Sequence, residues 1–173
     1  MALKGRVKSF MEKRDLYDEN RVFTGNTIYK GKIVPDGYYC LMVMIFMENN
    51  DGRFLIQKRS KDKGGKWATT GGHPKSGEDS MTGLLTEVRE ELGLDLANEN
   101  IKLLKTKVGH GAICDLYHVK MNIDINKIAY QKEEVSDIKL ATVNEIKRMI
   151  NAGDFHKGHG QTFLSILDYI KEV

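Results

Sequence analysis

Runs of apolar residues in the first half of the chain have the lengths of β-strands. Residues 38–47 are apolar throughout, which predicts a central strand that is covered on both faces. A turn sequence at 49–52 leads into a second strand at 53–59. Residues 67–72 predict a further short strand, which runs into a loop.

Ahead of these strands lies an N-terminal extension, residues 1–37. Residues 15–31 predict two short strands around a polar turn at 18–20, ending near Gly25. Residues 1–14 are expected to form a frayed or helical lead-in. The extension is therefore interpreted as a short β-hairpin attached to a single domain that fills residues 1–173.

After the loop the apolar residues recur at three- and four-residue steps, which is typical of an amphipathic helix. The helix is predicted to begin at Asp79 or Ser80, either of which is a good N-cap, and to end at Leu92 before Gly93. Its apolar stripe consists of Met81, Leu84, Leu85, Val88 and Leu92.

The second half of the chain predicts two more strands, at 101–109 and 112–121. A helix is predicted from Thr142, where Thr142 and Glu145 fit a capping box, and a last helix from about Gly160. No element is assigned to the intervening segment. Strands and helices in this order predict an α/β domain with a mixed sheet and helices on its faces.

Composition narrows the functional classes. Hydrophobic residues make up 40% and charged residues 29% of the chain, as in ordinary globular proteins, and the net charge of +3 permits phosphate-bearing ligands without implying a nucleic-acid binder. The two cysteines, Cys40 and Cys114, form no CxxC motif and are interpreted as buried core residues. No run is long enough to span a membrane, and we expect a cytoplasmic protein that contacts no membrane.

Three glutamates crowd into little more than one turn of the predicted helix, away from its apolar stripe. Glu87 has Glu90 at i+3 and Glu91 at i+4, so the three carboxylates project together. Their mutual repulsion would become attraction around a hard cation such as Mg²⁺ or Mn²⁺, which prefers oxygen ligands. An acidic, solvated helix face is the alternative.

The wider spacing favours the metal site, because it closely resembles the Nudix hydrolase signature G-x5-E-x7-R-E-U-x-E-E-x-G-U, in which U is aliphatic. The matching residues are Gly72, Glu78, Glu87, Val88, Glu90, Glu91, Gly93 and Leu94. This resemblance implies an α/β/α sandwich that hydrolyses a diphosphate joined to another moiety. Nucleoside diphosphate derivatives and other small organic diphosphates are the expected substrates, with Mg²⁺ or Mn²⁺ as cofactor.

The resemblance also implies residue roles. Glu87, Glu90 and Glu91 would be the metal ligands with help from the Gly72 carbonyl, Glu90 and Glu91 would be essential for catalysis, and Glu78 would support the geometry of loop and helix. Family members often draw a further acidic residue from a later loop, as a base or an extra ligand. Glu133 and Glu134 are the candidates, and Glu134 is the one we assign, although this Lys-Glu-Glu run is also typical of a solvated loop.

One signature position differs. Thr86 stands where the family has an arginine that pairs with and orients nearby glutamates, so the strength or geometry of the metal site is in question. Arg89 cannot replace that arginine, because a shift of two residues on a helix points elsewhere. A Nudix-shaped binding or regulatory module without turnover is therefore kept as an alternative.

Residues 15–135 also look similar to the isopentenyl-diphosphate isomerase branch of the family and its hydrolase relatives. That isomerase moves a double bond by proton transfer, using a cysteine just before a glycine–histidine pair. Gly71 occupies this place, and glycine has no side chain that transfers a proton. We therefore favour the hydrolase and keep the isomerase as an alternative.

Substrate contacts are expected from residues around the signature. Residues 58–66 form a basic stretch that is either solvated or near the phosphates, and Arg59 and Lys66 are its candidate ligands. His73 is either a metal-side residue or a hydrogen-bonding residue of the loop.

Other aromatic and histidine residues receive no assigned role. Four aromatic residues could stack a base, although core packing is favoured for each: Tyr39, Phe46, Trp67 and Tyr117. His156 and His159 have a metal-like spacing, but the glycines around them indicate a loop, and we assign no site there. A homodimer is expected only by analogy with the family.

Overall fold

The computed structural model describes residues 12–171. Its first two strands, β1 (Lys13–Tyr17) and β2 (Phe23–Tyr29), form an antiparallel hairpin, which confirms the two strands expected in the extension. The second strand continues past Gly25, where the prediction ended. Most of the lead-in predicted at 1–14 lies outside the described residues, and Lys13 and Arg14 belong to β1.

The main sheet of the described chain is mixed. Its strands are β3 (Cys40–Glu48), β4 (Phe54–Arg59), β5 (Trp67–Ala68), β6 (Thr70–Gly72), β7 (Lys102–Gly109), β8 (Ala112–Lys120) and β9 (Val135–Ala141). The strand order is β5-β4-β3-β8-β7, with β6 paired to β3 and β9 paired to β4. β3 and β8 are parallel, and the other pairs are antiparallel.

Strands β3 and β4 pair with each other only at the end next to their connecting turn. Glu48 pairs with Phe54, whereas further along β3 pairs with β6, and β4 pairs with β5 and β9. The sheet therefore opens between β3 and β4, and the glycine-rich end of β6 lies at the opening. This separation creates the space in which the candidate site lies.

Helices cover both faces of the sheet. The helices are α1 (Ser80–Leu92), α2 (Val143–Ala152) and α3 (Lys157–Ile170). Successive residues of β3 point to opposite faces. Val43, Ile45 and Met47 therefore pack in one core with α1, and Met44 and Phe46 pack in a second core with α2 and α3. The α/β/α sandwich with a central strand buried on both faces is confirmed.

The ends of α1 and α2 follow local rules. The Asp79 side chain accepts a hydrogen bond from the Thr82 backbone at the start of α1, and Gly93 ends the helix with φ of 65°. Thr142 and Glu145 form the predicted capping box at the start of α2. The hydroxyl and carboxylate groups thus satisfy backbone donors that the first helical turn leaves without partners.

Three predictions of local structure were wrong. The strand predicted at 67–72 is divided into β5 and β6, which pair with different strands. The last helix begins at Lys157 rather than Gly160, with His156 as its N-cap. Strand β9 was not predicted at all, because its burial pattern alternates poorly and its position depends on pairing with β4.

The hairpin is fixed to the sheet by a buried carboxylate. Asp115 of β8 is 1% exposed and accepts hydrogen bonds from Arg21 (2.9 Å to Nη1), Thr106 (2.6 Å) and Ser80 at the start of α1. Burial alone would raise the pKa of the Asp115 carboxyl, but these hydrogen bonds outweigh it and hold the pKa below its ordinary value. One side chain therefore joins the hairpin, the sheet and α1.

Candidate active site

A cavity of about 900 Å³ opens between the hairpin, the split in the sheet and the outer face of α1. Its walls carry charges of both signs. The acidic residues that line it are Glu12, Glu87, Glu90, Glu91 and Glu134, and the basic ones are Arg14, Lys30, Arg59, Lys63 and Lys75. The three signature glutamates and the loop residue Glu134 are therefore on the walls of one space, although they come from distant parts of the chain.

Glu87 lies directly against the backbone of Gly72. A Cβ atom placed on Gly72 would be 2.3 Å from the Glu87 carboxyl carbon, so only glycine allows this approach. Burial raises the pKa of the Glu87 carboxyl to about 7, and repulsion from Glu91 and Glu90 adds to the shift. A buried, mutually repelling carboxylate next to a backbone carbonyl is the kind of donor set that a hard divalent cation relieves.

Glu91 is held by an amide from the sheet. Gln57 Nε2 donates a 2.7 Å hydrogen bond to the Glu91 carboxylate, and the Gln57 carbonyl oxygen accepts one of 2.9 Å from the Thr70 hydroxyl. Burial raises the pKa of the Glu91 carboxyl, whereas the hydrogen bond from Gln57 opposes the rise. The chain Thr70–Gln57–Glu91 orients this carboxylate from β6 and β4.

Glu90 and Glu78 are tied to the loop that precedes α1. The ammonium of Lys75 forms an ion pair with Glu90, and the Lys75 backbone N–H donates a 2.8 Å hydrogen bond to Glu78. Thr86 donates its hydroxyl to the other oxygen of Glu78 at 2.8 Å. Glu78 thus joins the loop to the helix, in the manner that the resemblance implies for it.

Glu134 reaches the cavity from the segment before β9. Its backbone carbonyl accepts a 2.9 Å hydrogen bond from Ser60, and its carboxylate pairs with Lys63. Glu133 does not line the cavity. The structure therefore places the assigned residue, Glu134, at the cavity and Glu133 outside it.

Two of the three residues predicted to contact the substrate lie at the cavity, and the third does not. Arg59 and His73 line the cavity. Burial lowers the pKa of His73 to about 4, with Arg14 and Lys30 adding to the effect, so its imidazole is neutral at neutral pH. Lys66 lies elsewhere, because its ammonium donates to the Gly153 carbonyl beside a smaller depression, and we do not retain it as a substrate ligand.

Two histidines to which the sequence analysis assigned no site also line the cavity. His156 and His159 line the cavity at the start of α3, with ring centroids 4.7 Å apart, and His159 Nδ1 lies 3.0 Å from the Thr69 hydroxyl. Burial lowers the pKa of His159 to about 4. The His156 N-cap was the signal that the loop interpretation overlooked. The aromatic candidates, by contrast, do not line the cavity: Tyr39, Phe46, Trp67 and Tyr117.

The donor set fits a divalent cation by its chemistry. Glu87, Glu90, Glu91 and the backbone of Gly72 are all at the cavity, and carboxylate and carbonyl oxygens suit Mg²⁺ and Mn²⁺. Within residues 12–171, no three His, Cys, Asp or Glu side chains are already grouped closely enough to hold a metal ion. Glu90 and Glu91 are instead held by Lys75 and Gln57.

The α/β/α fold and the charged cavity at the split in its sheet do not by themselves give a function, and comparison with known proteins gives the family. Residues 39–163 match the NUDIX domain. An uncharacterized Nudix hydrolase of Listeria monocytogenes is 31% identical over 150 residues, which cover 84% of this chain and 88% of that protein. The chain therefore belongs to the Nudix hydrolase family and is a pyrophosphohydrolase, a hydrolase that acts on acid anhydrides.

A shorter sequence match and a likeness of fold were also found. The nucleoside triphosphatase NudI of Escherichia coli is 46% identical over 50 residues, which cover 27% of this chain and 36% of that protein. The crystal structure of DR0079 from Deinococcus radiodurans superposes with a TM-score of 0.70 at 20% identity, covering 83% of this chain and 91% of that one. Among the described residues, no helix has the length and apolar character needed to cross a membrane.

Proposed function

We propose that this enzyme hydrolyses the diphosphate linkage of a nucleoside diphosphate derivative or a similar small organic diphosphate, with Mg²⁺ or Mn²⁺ as its cofactor. The observation that carries the proposal is the meeting of Glu87, Glu90 and Glu91 with a set of basic side chains in one cavity. Carboxylates suit the cation, and the basic side chains suit the phosphate oxygens. The match to a nucleoside triphosphatase favours a nucleotide as the substrate.

Residue roles follow from placement. Glu87, Glu90, Glu91 and the Gly72 carbonyl would hold the cation, which when bound neutralises phosphate charge and activates water. Gln57 orients Glu91, and Lys75 orients Glu90. Glu134, which forms an ion pair with Lys63 at the cavity wall, is proposed as the base that accepts the proton of the attacking water. Arg59 and the neutral His73 would contact the substrate.

The isomerase alternative has no favourable observation. A Cβ atom on Gly71 would be 2.6 Å from the backbone carbonyl oxygen of Val43, so a cysteine there requires the backbone to shift. Neither Cys40 nor Cys114 is among the residues that line the cavity. Proton transfer to a carbon of the substrate therefore lacks the group that the isomerase uses at this position.

The direct test is an activity panel with the purified full chain. Nucleoside diphosphate derivatives, sugar nucleotides and prenyl diphosphates would be incubated with Mg²⁺ or Mn²⁺, and released phosphate or nucleoside monophosphate measured. Glu90→Gln and Glu91→Gln are expected to abolish turnover while the thermal unfolding midpoint stays near that of the wild type. Retention of full metal-dependent activity in either variant would show that the site is assigned incorrectly.

A matched pair tests the proposed base. Glu134→Gln is expected to lower kcat by roughly 100-fold or more, in the range of general base catalysis. Glu133→Gln, one residue away and outside the cavity, is expected to leave kcat unchanged. A Mn²⁺ titration of the wild type separates these outcomes from a binding module: a chain that neither binds Mn²⁺ nor turns over any member of the panel would contradict the proposal.

A further inference from the structure

The N-terminal hairpin presents basic side chains to the cavity on one face only. Lys13 pairs with Tyr29 across the hairpin, and the ammonium of Lys13 lies 5.1 Å from the centre of the exposed Tyr29 ring. The neighbouring positions Glu12, Arg14 and Lys30 alternate to the other face and line the cavity. All of them precede residue 39, where the match to the Nudix domain begins.

The hairpin is held firmly where Arg14 meets the cavity. Asp15, the next residue, accepts a hydrogen bond of 2.5 Å from the Ser76 hydroxyl and one of 2.9 Å from the Gly77 backbone, both in the signature loop. Tyr17 exchanges two backbone hydrogen bonds with Tyr39 at the start of the sheet. On the other side of Arg14, the Ser76 backbone N–H donates a 2.8 Å hydrogen bond to the Lys13 carbonyl, so Arg14 lies between two contacts with the signature loop.

Within residues 12–171, neither Arg14 nor Lys30 forms an ion pair with a signature glutamate. Among the described residues, the Nε atom of Arg14 is buried without a hydrogen-bond partner, and the ion pair of Lys30 is with Glu12 at 3.6 Å. Burial of an unsatisfied guanidinium N–H costs free energy that a hydrogen-bonding ligand would recover.

We propose that Arg14 and Lys30 form an anion subsite that binds a phosphate group of the substrate opposite the signature glutamates. The inference rests on the proposed diphosphate hydrolysis and assigns part of substrate binding to a hairpin outside the matched domain. A guanidinium presents paired N–H groups that suit phosphate oxygens, and Lys30 adds a mobile point charge. The subsite requires a ligand with two linked phosphates, one at the glutamates and one at the hairpin.

Inorganic diphosphate is the probe for this subsite. Its affinity for the full chain would be measured by calorimetry with Mn²⁺ present, for the wild type, Arg14→Gln, Lys30→Gln and the double variant. Each single change is expected to weaken binding by roughly tenfold, as for one charge-assisted hydrogen bond, and the double variant by more than either. Lys13→Gln is the matched control, because it removes one positive charge from the outer face of the same strand.

Mn²⁺ affinity, measured without diphosphate, separates this inference from the proposed function. The double variant is expected to bind Mn²⁺ at least as tightly as the wild type does, because two positive charges leave the cavity, and to raise KM while kcat changes little. Unchanged diphosphate affinity in the double variant, or equal weakening by Lys13→Gln, would overturn the subsite and leave the glutamate site untouched. Absence of diphosphate binding to the wild type would overturn it as well.

A further variant, Arg14→Lys, separates the effect of charge from that of misfolding. Arg14→Lys keeps the positive charge but loses the paired N–H donors of the guanidinium. It is therefore expected to bind diphosphate with an affinity between those of the wild type and Arg14→Gln. Its thermal unfolding midpoint should match that of the wild type. Wild-type hydrolysis failing on every substrate, with diphosphate binding still dependent on Arg14 and Lys30, would contradict the proposed function alone.

Discussion

The hydroxyl of Thr86 donates a 2.8 Å hydrogen bond to Glu78 across the junction of the signature loop and α1. The resemblance to the Nudix signature places an arginine at this position, where it would orient nearby glutamates. In this chain two residues contact the glutamates instead. Thr86 donates a hydrogen bond to Glu78, and the Lys75 ammonium forms an ion pair with Glu90. The missing arginine therefore does not leave Glu78 and Glu90 without partners.

Removal of the Thr86 hydroxyl is expected to weaken the attachment of the signature loop to α1. Thr86→Val keeps the shape of the side chain but leaves one oxygen of Glu78 without this donor. The free energy of unfolding should fall by about 1 kcal/mol, and kcat/KM should fall roughly fivefold. Thr86→Ser retains the hydroxyl and should keep most of the activity. Steady-state kinetics and thermal unfolding measure both effects, and equal activity of the valine and serine variants would show that the hydrogen bond is unimportant.

Lys75 is expected to act through Glu90. Lys75→Met removes the ammonium and should lower kcat/KM by roughly tenfold, because a charge-assisted contact is lost. Lys75→Arg should retain most of the activity. An arginine at position 86 lies one helical turn before Glu90, so the double variant Lys75→Met/Thr86→Arg is expected to recover part of the loss. Failure of that recovery would indicate that Lys75 contacts the substrate directly.

Gly72 is expected to tolerate no side chain. The Cβ atom of Gly72→Ala would overlap the Glu87 carboxylate, so Glu87 must move and Mn²⁺ affinity should fall at least tenfold. Gly109→Ala is the control, since a Cβ atom there meets no heavy atom within 4 Å and the backbone is not left-handed. Mn²⁺ titration of both variants measures the difference, and wild-type affinity in Gly72→Ala would contradict the arrangement.

The Asp115 network should make stability depend on pH in the acidic range. The pKa of Asp115 is lower in the folded chain than its ordinary value of 3.8, so its contribution is complete above that value and is lost as pH falls through the folded-state pKa. Asp115→Asn is expected to lower the free energy of unfolding by roughly 2–4 kcal/mol at neutral pH. The difference between variant and wild type should shrink progressively as pH falls below 3.8.

Denaturant unfolding at several pH values checks this dependence. Ser165→Ala serves as a control, because Ser165 is exposed on α3 and outside the network. Its stability should follow that of the wild type at every pH. A pH-independent difference between Asp115→Asn and the wild type would show that the lost stability comes from packing rather than from the charge.

Features set by neighbouring residues could be predicted best. The caps of α1 and α2 depend on side chains within three residues of each helix end, and Asp79, Gly93 and Thr142 act there as expected. Strand β9 escaped prediction because its partner, β4, lies about eighty residues earlier in the chain. The two histidines escaped because the glycines beside His156 indicated a loop, whereas burial against the sheet stabilises a helix.

The sequence by itself determined the α/β class, the central buried strand and the three glutamates on one helix face, since hydrophobic periodicity and helical spacing are local properties. Tertiary structure alone decided which charges meet. It placed Glu134 but not Glu133 on the cavity wall, kept Lys66 outside the cavity, and brought Arg14 and Lys30 into it. The pairing of strands brings these residues together in space. They are far apart in the sequence, so no local sequence pattern could have predicted that they meet.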